Sequence, residues 1–475
     1  MLGRTSNHRR LAATSAGLLA MKSLPRVLAA VILLAFVGQA AGAAFRSAAD
    51  TQVPSVSIAS PADGATVRGT ITVTGAASDD VAVSTVELRV DSGSYRLASG
   101  TTSWSFPLET TAYSNGSHTI TVRATDTSGN KRWATRTIVV ENGSDTGPLL
   151  YWGAQIGGDV YGRRDAPWDA TTTALFEQHA GKPVSIIHIS SAWQRCADGK
   201  CEYAPFDSAP LDLIRDHGAL PLLTWGSWKS PLTLNGGPNQ PDMQLADIIN
   251  GDHDRFLRSW ARAAKAWGMP FFVRFDPEMN LGGVRFPYQE NGNGNKSGEF
   301  VQMWRHVVDV FASVRATNVT WVWCPNKESD NTIKPLANLF PGDAYVHWTC
   351  IDAYNWGTNP NGARSGWYSF ETLVGPTYEL ITTRISSRPM MIGEFASTEV
   401  GGSKAAWISD MFSKLPTRFP SIRAIVWFNT YSDRGMDWPI ESSASAQTAF
   451  AQGIASPRYL ANTFATYTNA PIPAP

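Results

Sequence analysis

The sequence predicts an α/β fold in which a (β/α)8 TIM barrel is preceded by an all-β sandwich. Between residues 53 and 141, short runs that alternate apolar and polar residues recur between turn motifs, and this pattern is typical of antiparallel strands. From residue 149 onward, eight apolar runs alternate with helical patterns over about 325 residues, which is typical of one closed parallel barrel.

The composition indicates a large folded protein. The chain has 475 residues, of which 43% are hydrophobic and 17% charged, and this balance excludes global disorder. Residues 1–43 contain five basic residues and no acidic one, so the remainder carries 35 Lys and Arg against 40 Asp and Glu, a net charge of −5. This mildly acidic body argues against nucleic acid as a partner.

Residues 1–43 are predicted to be a signal peptide. Lys22 and Arg26 precede the apolar run Val27–Val37, and the small residues 41–43 fit a cleavage site. The apolar run is too short for a typical transmembrane span. We therefore expect a secreted, extracellular protein rather than a membrane-tethered one, with no membrane contact after signal removal and a first residue near Ala44.

Residues 53–141 are predicted to form a separate sandwich. Val86, Leu88 and Val90 alternate with charged residues, as strand residues with one buried face do. The segment resembles bacterial immunoglobulin-like modules, and the motifs that carry the resemblance are Ser60-Pro61-Ala62-Asp63-Gly64-Ala65-Thr66-Val67 and Ala124-Thr125-Asp126-Thr127-Ser128-Gly129-Asn130. The resemblance implies an immunoglobulin-like sandwich that serves as a spacer, with sugar binding as the alternative. Residues 142–148 are predicted to be a flexible linker.

Residues 149–475 are predicted to form the barrel. Its predicted helices include Asp254–Trp267, Phe300–Phe311 and Ala405–Leu415, where apolar residues recur at helical spacing. The eight predicted strands are Leu149–Ile156, Val184–Ser190, Leu220–Trp225, Phe271–Asp276, Val319–Cys324, Val346–Tyr354, Met390–Glu394 and Ile422–Phe428.

Two of these strands end on a glutamate. Arg274, Asp276 and Glu278 follow a spacing of two and project to one side of the fourth strand, where three charges would be costly in a packed core. The seventh strand ends on Glu394 in the same way. Barrel chemistry lies at the carboxyl ends of the strands, and two carboxylates there suit acid–base cleavage of a glycosidic bond.

The barrel segment resembles glycoside hydrolase family 26, the retaining endo-glycanases typified by β-mannanases. The resemblance implies Glu278 as general acid/base, Glu394 as nucleophile and a β-linked polysaccharide, foremost β-1,4-mannan, as substrate. The motifs that carry it are Arg274-Phe275-Asp276-Pro277-Glu278-Met279-Asn280, Trp304-Arg305-His306-Val307-Val308-Asp309, Trp321-Val322-Trp323-Cys324-Pro325-Asn326, Pro341-Gly342-Asp343, Ile351-Asp352-Ala353-Tyr354-Asn355-Trp356 and Ile392-Gly393-Glu394-Phe395.

The sequence departs from the family pattern next to the acid/base. Pro277 stands where family mannanases usually carry His, and residues 281–288 lack the tryptophans that they tend to carry there. A β-1,3-1,4-glucanase or a xylanase is therefore an alternative. The alternative from another class is a non-catalytic carbohydrate-binding protein, which the presence of both glutamates argues against.

Further residues are candidates for the site. Arg274 is expected to favour the ionised nucleophile, or instead to pair with Asp276 or Asp352, and Tyr354 is expected to donate a hydrogen bond to Glu394. Trp427 is the candidate stacking platform for the cleaved sugar, with barrel packing as the alternative. The remaining candidates for substrate contact are Asn280, Trp225, Trp356 and Tyr288, with Trp228 and Trp367 following strand ends in the same way.

No cofactor or metal is expected, and the chain is expected to be a monomer whose partner is its polysaccharide substrate. Asp433 and Asp437 could bind calcium or sugar hydroxyls, although a solvated loop accounts for them better. Cys196 and Cys201 flank a four-residue loop and are predicted to form a disulfide worth about 2 kcal/mol. Cys324 and Cys350 could pair or remain buried thiols.

Overall fold

The computed structural model describes residues 50–113, 116–141, 147–231, 239–283, 285–328, 335–360, 366–431 and 435–475. The predicted signal peptide, most of the predicted linker and Asp433 lie outside these ranges. None of the helices within them has the length and apolar character that a membrane span requires.

The N-terminal unit is a sandwich of two sheets. One sheet has the strand order β1-β3-β6 and the other β2-β8-β7-β4-β5. The alternation predicted for residues 86–90 is confirmed, because Val86, Leu88 and Val90 are buried between the sheets. The strands are β1 (Ser55–Ser60), β2 (Ala65–Val67), β3 (Thr70–Ser78), β4 (Val83–Val90), β5 (Arg96–Leu97), β6 (Ser103–Glu109), β7 (Gly116–Asp126) and β8 (Lys131–Val140).

The second unit is a closed barrel of eight parallel strands. Its order is β9-β10-β12-β13-β14-β15-β16-β17, and β17 pairs with β9 to close it. All eight predicted strands are confirmed. They are β9 (Tyr151–Ile156), β10 (Ile186–Ala197), β12 (Leu220–Ser230), β13 (Phe271–Phe275), β14 (Val319–Trp323), β15 (Trp348–Asn355), β16 (Met390–Ser397) and β17 (Ile422–Asn429).

Two strands run further than the sequence predicts. After the barrel, β10 continues as a hairpin with β11 (Lys200–Tyr203), in which Cys196 lies opposite Cys201. The predicted disulfide joins these two cysteines. The extension of β12 pairs with that of β10. Cys324 and Cys350, for which two states were open, also form a disulfide, between β14 and β15.

Helices surround the barrel. The predicted helix Asp254–Trp267 has the same limits in the structure, and the other two predicted helices are confirmed within a few residues. The helices are α1 (Ala170–Ala180), α2 (Ala209–Asp216), α3 (Leu245–Asn250), α4 (Asp254–Trp267), α5 (Glu299–Val314), α6 (Phe370–Leu380), α7 (Lys404–Lys414) and α8 (Ala444–Ile454).

The C-terminal segment fills the amino-terminal end of the barrel. Phe464 packs against Tyr151, the first residue of β9, with ring centroids 5.4 Å apart. Ile472 is buried, its N–H donates to Thr320 Oγ1 at 2.8 Å, and its carbonyl accepts from Trp348 Nε1 at 2.8 Å. The barrel is therefore closed below by its own chain, so that its open end is the carboxyl end of the strands.

Candidate active site

The alternation of side chains along each strand decides which residues reach the barrel interior. On β13, Phe271, Val273 and Phe275 belong to the core under the helices, whereas Phe272 belongs to the core inside the barrel. Arg274 shares the inner face with Phe272 and is 2% exposed. The charged side of this strand therefore points inward, as the sequence predicts.

The turn after β13 holds two residues in the left-handed region of backbone space. Asp276 has φ 37° and Glu278 has φ 57°, conformations that cost free energy for residues other than glycine and persist only where neighbours hold them. Ser227 donates to Asp276 from both its N–H and its Oγ, each at 2.7 Å. The N–H of Glu278 donates to the carbonyl of Cys324 at 2.7 Å. These bonds fix the direction of the Glu278 side chain.

Glu278 lies beside a pair of asparagines. Asn326 Nδ2 donates to Glu278 Oε1 at 2.6 Å. Asn280 holds Asn326 in place, because its Nδ2 donates to the Asn326 carbonyl at 2.7 Å and its Oδ1 accepts from the Asn326 N–H at 2.8 Å. Burial, followed by the charge of Glu394, raises the pKa of Glu278 above its ordinary value. This carboxyl therefore keeps its proton to higher pH than a free one.

Glu394 accepts one hydrogen bond on each of its two carboxylate oxygens. Arg274 Nη1 donates to Glu394 Oε1 and the Tyr354 hydroxyl donates to Glu394 Oε2, both at 2.9 Å. Burial disfavours the Arg274 cation, but the charges of Asp352, Glu394 and Glu278 raise its pKa, so the guanidinium stays charged. Burial and the charge of Glu394 raise the pKa of Tyr354, so its hydroxyl remains a donor.

Two more residues complete the surroundings of Glu394. Arg274 also forms a buried ion pair with Asp352 and donates to Thr224 Oγ1 at 2.7 Å. His188 Nε2 lies 4.0 Å from Glu394 Oε1 and 2.7 Å from Thr224 Oγ1. Burial lowers the pKa of His188 to about 4, so the imidazole is neutral at neutral pH. Arg274 therefore pairs with both Glu394 and Asp352, and Asp276, the other partner that the sequence left open, bonds to Ser227 instead.

The site thus holds two glutamates in different surroundings. One carboxyl, Glu278, is half-buried with a raised pKa and can give a proton. The other, Glu394, accepts bonds from a cation and a hydroxyl and can act as an anion. Carboxyl groups separated in this way by their surroundings are the acid and the nucleophile or base that glycoside cleavage requires.

Two predicted stacking residues lie elsewhere. Trp427 is 1% exposed and points from β17 into the helix layer, where it contacts Phe395, Trp407 and Phe450. Trp225 is also 1% exposed and packs on Trp260 and other rings of that layer. The prediction that these two rings face the sugar is wrong, because both occupy the outward positions of their strands. For Trp427, the packing alternative is the correct one.

The neighbour of Trp427 is the inward residue that sequence reasoning missed. Ala424 and Val426 belong to the core inside the barrel, so Phe428 follows them on the inner face. Phe428 is half-buried, and its ring centroid lies 5.6 Å from that of Tyr354. Counting alternate residues from Ala424 would have identified it.

The other predicted contacts divide into two groups. Asn280 and Tyr288 are almost fully buried and support the acid/base turn, Tyr288 by donating from its hydroxyl to the Pro277 carbonyl at 2.6 Å. Asn280 and Tyr288 therefore position the acid/base turn, in place of the contact with substrate that the sequence predicts. Trp356 is half-buried beside Tyr354 and Trp438, with ring centroids 5.8 and 5.0 Å away, and its contact with substrate stays a prediction.

A second aromatic group lies near the acid/base turn. Trp228 is half-buried at the end of β12, and its ring centroid lies 6.2 Å from that of Phe286. Phe286 stacks on Tyr288, whose hydroxyl supports Pro277. Trp367 packs against the core near Gly402. Asp437, one of the two aspartates considered for calcium, accepts from Thr398 Oγ1 and the Glu399 N–H.

Comparison with known proteins agrees with this geometry. The profile of the bacterial Ig domain family matches residues 54–122, and that of glycosyl hydrolase family 26 matches residues 185–382. Endoglucanase H from Acetivibrio thermocellus is 30% identical over 283 residues, which are 59% of this chain and 28% of that protein. The chain therefore spans less than a third of the length of this curated relative.

Solved structures with a similar fold include a modular endo-β-1,4-mannanase from Cellulomonas fimi and a GH26 β-mannanase from Bacteroides ovatus. The first is 18% identical with a TM-score of 0.48 and covers 69% of this chain and 76% of its own. The second is 14% identical with a TM-score of 0.44 and covers 66% and 90%. Residues 185–382 of the barrel therefore match glycosyl hydrolase family 26, and residues 54–122 ahead of the barrel match the bacterial Ig domain family.

Proposed function

We propose that the chain is a retaining endo-β-glycanase in which Glu394 is the nucleophile and Glu278 the acid/base. The observation that carries the assignment is the contrast between the two carboxyl groups. Glu394 accepts from Arg274 and Tyr354, whereas burial and the charge of Glu394 raise the pKa of Glu278. An ionised carboxylate is the better nucleophile, and a carboxyl with a raised pKa is the better acid.

In the first step, a Glu394 oxygen bonds to the anomeric carbon while the glycosidic bond breaks. Glu278 gives its proton to the departing oxygen, so that the leaving group departs as a neutral alcohol. In the second step, Glu278 takes a proton from water, whose oxygen replaces Glu394 at the same carbon. Two displacements restore the original configuration, and both carboxyl groups return to their starting states.

For the substrate, we propose a β-glucan in place of the β-mannan to which the sequence resemblance gave first place. Endoglucanase H is by name a glucan-cleaving relative, and it is 30% identical over 59% of this chain. Pro277 also stands where family mannanases usually carry His. Both observations favour the β-1,3-1,4-glucanase alternative.

The test is reducing-sugar release from mixed-linkage β-glucan, mannan, glucomannan and xylan. Mixed-linkage glucan is expected to be cleaved fastest, and Glu394→Gln to abolish cleavage. Glu371→Gln is the matched control, because Glu371 lies on α6 and pairs with Lys414 and Arg418. Fastest cleavage of mannan would refute the glucan assignment alone. Binding without cleavage of any of the four would favour a non-catalytic carbohydrate-binding protein.

We also propose that the protein is secreted as a monomer. The basic and apolar pattern of residues 22–37 supports export, and two disulfides fit an oxidising compartment. N-terminal sequencing of the exported protein should begin near Ala44, and light scattering should give the mass of one chain. A secreted protein that retains Val27–Val37 would contradict the predicted cleavage.

A further inference from the structure

The outer face of the five-stranded sheet in the sandwich carries an unusual row of side chains. Strand register places Trp133 of β8 beside Arg123 of β7, Arg123 beside Glu87 of β4, and Glu87 beside Leu97 of β5. Neighbouring residues in a row across a sheet share one face. The row therefore crosses four strands and contains one aromatic ring, one ion pair and one aliphatic side chain.

This face is turned away from the core of the sandwich. Val122 and Leu88, the sequence neighbours of Arg123 and Glu87, are fully buried, so the row lies on the opposite side of the sheet. Trp133 is 51% exposed and Leu97 is 68% exposed. A half-exposed indole on β8, on the face away from the core, contributes little to the sandwich core and is available to a ligand.

The middle of the row is rigid and largely neutralised. Arg123 Nη2 lies 2.6 Å from Glu87 Oε2, and the Arg123 guanidinium lies 4.0 Å from the centre of the Tyr95 ring. Arg89 approaches the same ring at 4.9 Å. Tyr95 thus supports two planar guanidinium groups, whose N–H groups are suited to hydroxyl acceptors.

Hydroxyl groups surround the indole. Register places Thr121 opposite Thr135 and Thr119 opposite Thr137, two and four residues from the Arg123–Trp133 pair and therefore on the same face. The combination is one flat apolar ring among short donors and acceptors. It matches the surface of a sugar ring, which has an apolar face and a rim of hydroxyl groups.

We propose that this face is a polysaccharide-binding site that holds the substrate of the barrel. The proposal rests on the proposed function, because the occupant is taken to be the same neutral β-glycan. The row from β8 to β5 spans three strand spacings, about 14 Å, which is long enough for more than one sugar. The polysaccharide would stack on Trp133 and extend over the paired charges of Arg123 and Glu87.

A neutral chain fits the face better than an acidic polymer does. Glu87 neutralises Arg123, so the middle of the face carries no net charge, although Arg89 and Lys131 lie on the same face. Binding here would raise the local concentration of polysaccharide around the barrel, because both sites belong to one chain. The effect should matter most on insoluble substrate, where contact with the surface limits the reaction.

The test uses the full chain with Trp133→Thr, a replacement that suits a strand. We expect about tenfold weaker retention on the insoluble form of the cleaved polysaccharide, from loss of one stacked ring. Hydrolysis of a soluble oligosaccharide should be unchanged. Trp133→Tyr, which keeps a ring, should retain most of the binding, and Val81→Ala, at a residue of the same module that is 63% exposed, should behave as the wild type.

Several outcomes would overturn the proposal. Equal retention of Trp133→Thr and the wild type would exclude the site. Salt-sensitive retention on polygalacturonate but not on neutral glycan would assign the face to an acidic polymer. An equal loss with Val81→Ala would indicate damage to the module rather than a lost contact. If the proposed function is wrong, the wild-type protein will cleave no soluble oligosaccharide, and this result is independent of its retention on insoluble polysaccharide.

Discussion

Asn326 should set the pH at which Glu278 loses its proton, and Asn326→Ala tests this. The hydrogen bond from Asn326 Nδ2 lowers the pKa of Glu278 against burial and the charge of Glu394, which raise it. A general acid works only while it is protonated, so activity falls as the pH rises through the Glu278 pKa. Removal of the donor raises that pKa further and should move the alkaline limb of the pH profile upward.

The size of the shift follows from the strength of the bond. A hydrogen bond to an ionised carboxylate is worth about 1 kcal/mol more than one to the neutral acid. Because one pKa unit corresponds to about 1.4 kcal/mol, the limb should move up by about 0.7 pH units. The measurement is kcat/KM against pH on a soluble oligosaccharide, which reports the pKa values of the free enzyme.

Asn318→Ala is the matched control for this experiment. Asn318 is another buried asparagine, but its amide donates to the carbonyls of Ala264 and Met269 and not to a carboxylate. This variant should lose stability without a shift of the limb. If Asn326→Ala is folded but the alkaline limb of its pH profile stays in place or moves to lower pH, the hydrogen bond from Asn326 does not lower the pKa of Glu278. The same shift in both variants would show that it does not arise at Glu278.

Three further predictions separate the roles of neighbouring residues. With azide added, Glu278→Ala should regain turnover of an activated aryl glycoside and give a β-glycosyl azide, whereas Glu394→Ala should give the α-azide or no product. NMR distinguishes the two azides. If Glu278→Ala gave the α-azide and Glu394→Ala the β-azide, the roles of the two glutamates would be exchanged. Trp427→Ala should lower the free energy of unfolding by about 3–5 kcal/mol, which is the usual cost of removing a buried aromatic side chain. Phe428→Ala should instead lower kcat/KM about tenfold with little change in the melting temperature. Similar denaturation curves for both variants would contradict the outward direction of Trp427 and the inward direction of Phe428. Ile472→Asp should destabilise the barrel by about 3 kcal/mol or more in urea, because a charge would replace a buried apolar side chain, while Asn469→Asp at an exposed position should not.

The architecture could be predicted because its signals are local. Eight apolar runs with helices between them define a barrel, and the two glutamates follow strands whose ends share one rim. The direction of Arg274 also follows from alternation alone. The domain limits at 53–141 and 149–475 remain sequence predictions.

The errors at Trp225 and Trp427 have a single cause. The residue type alone places an aromatic residue near a strand end in the cleft, whereas the face of the strand that it occupies decides its direction. In an eight-stranded barrel, the odd positions of a strand can face the helices while the even ones face the interior, and a displacement of one residue reverses the assignment. Asn326 was missed as a partner of Glu278 because their contact joins different loops, 48 residues apart.

The segment that fills the base of the barrel has a consequence for biogenesis. Ile472 bonds to Thr320 across 152 residues, and Pro473 accepts a hydrogen bond from Tyr151 across 322. The first barrel strand is therefore made 322 residues before the segment on which it rests, because ribosomes add residues in order. Until residues 464–473 emerge, the barrel lacks this floor, so contacts of such long range make late closure a property of the topology.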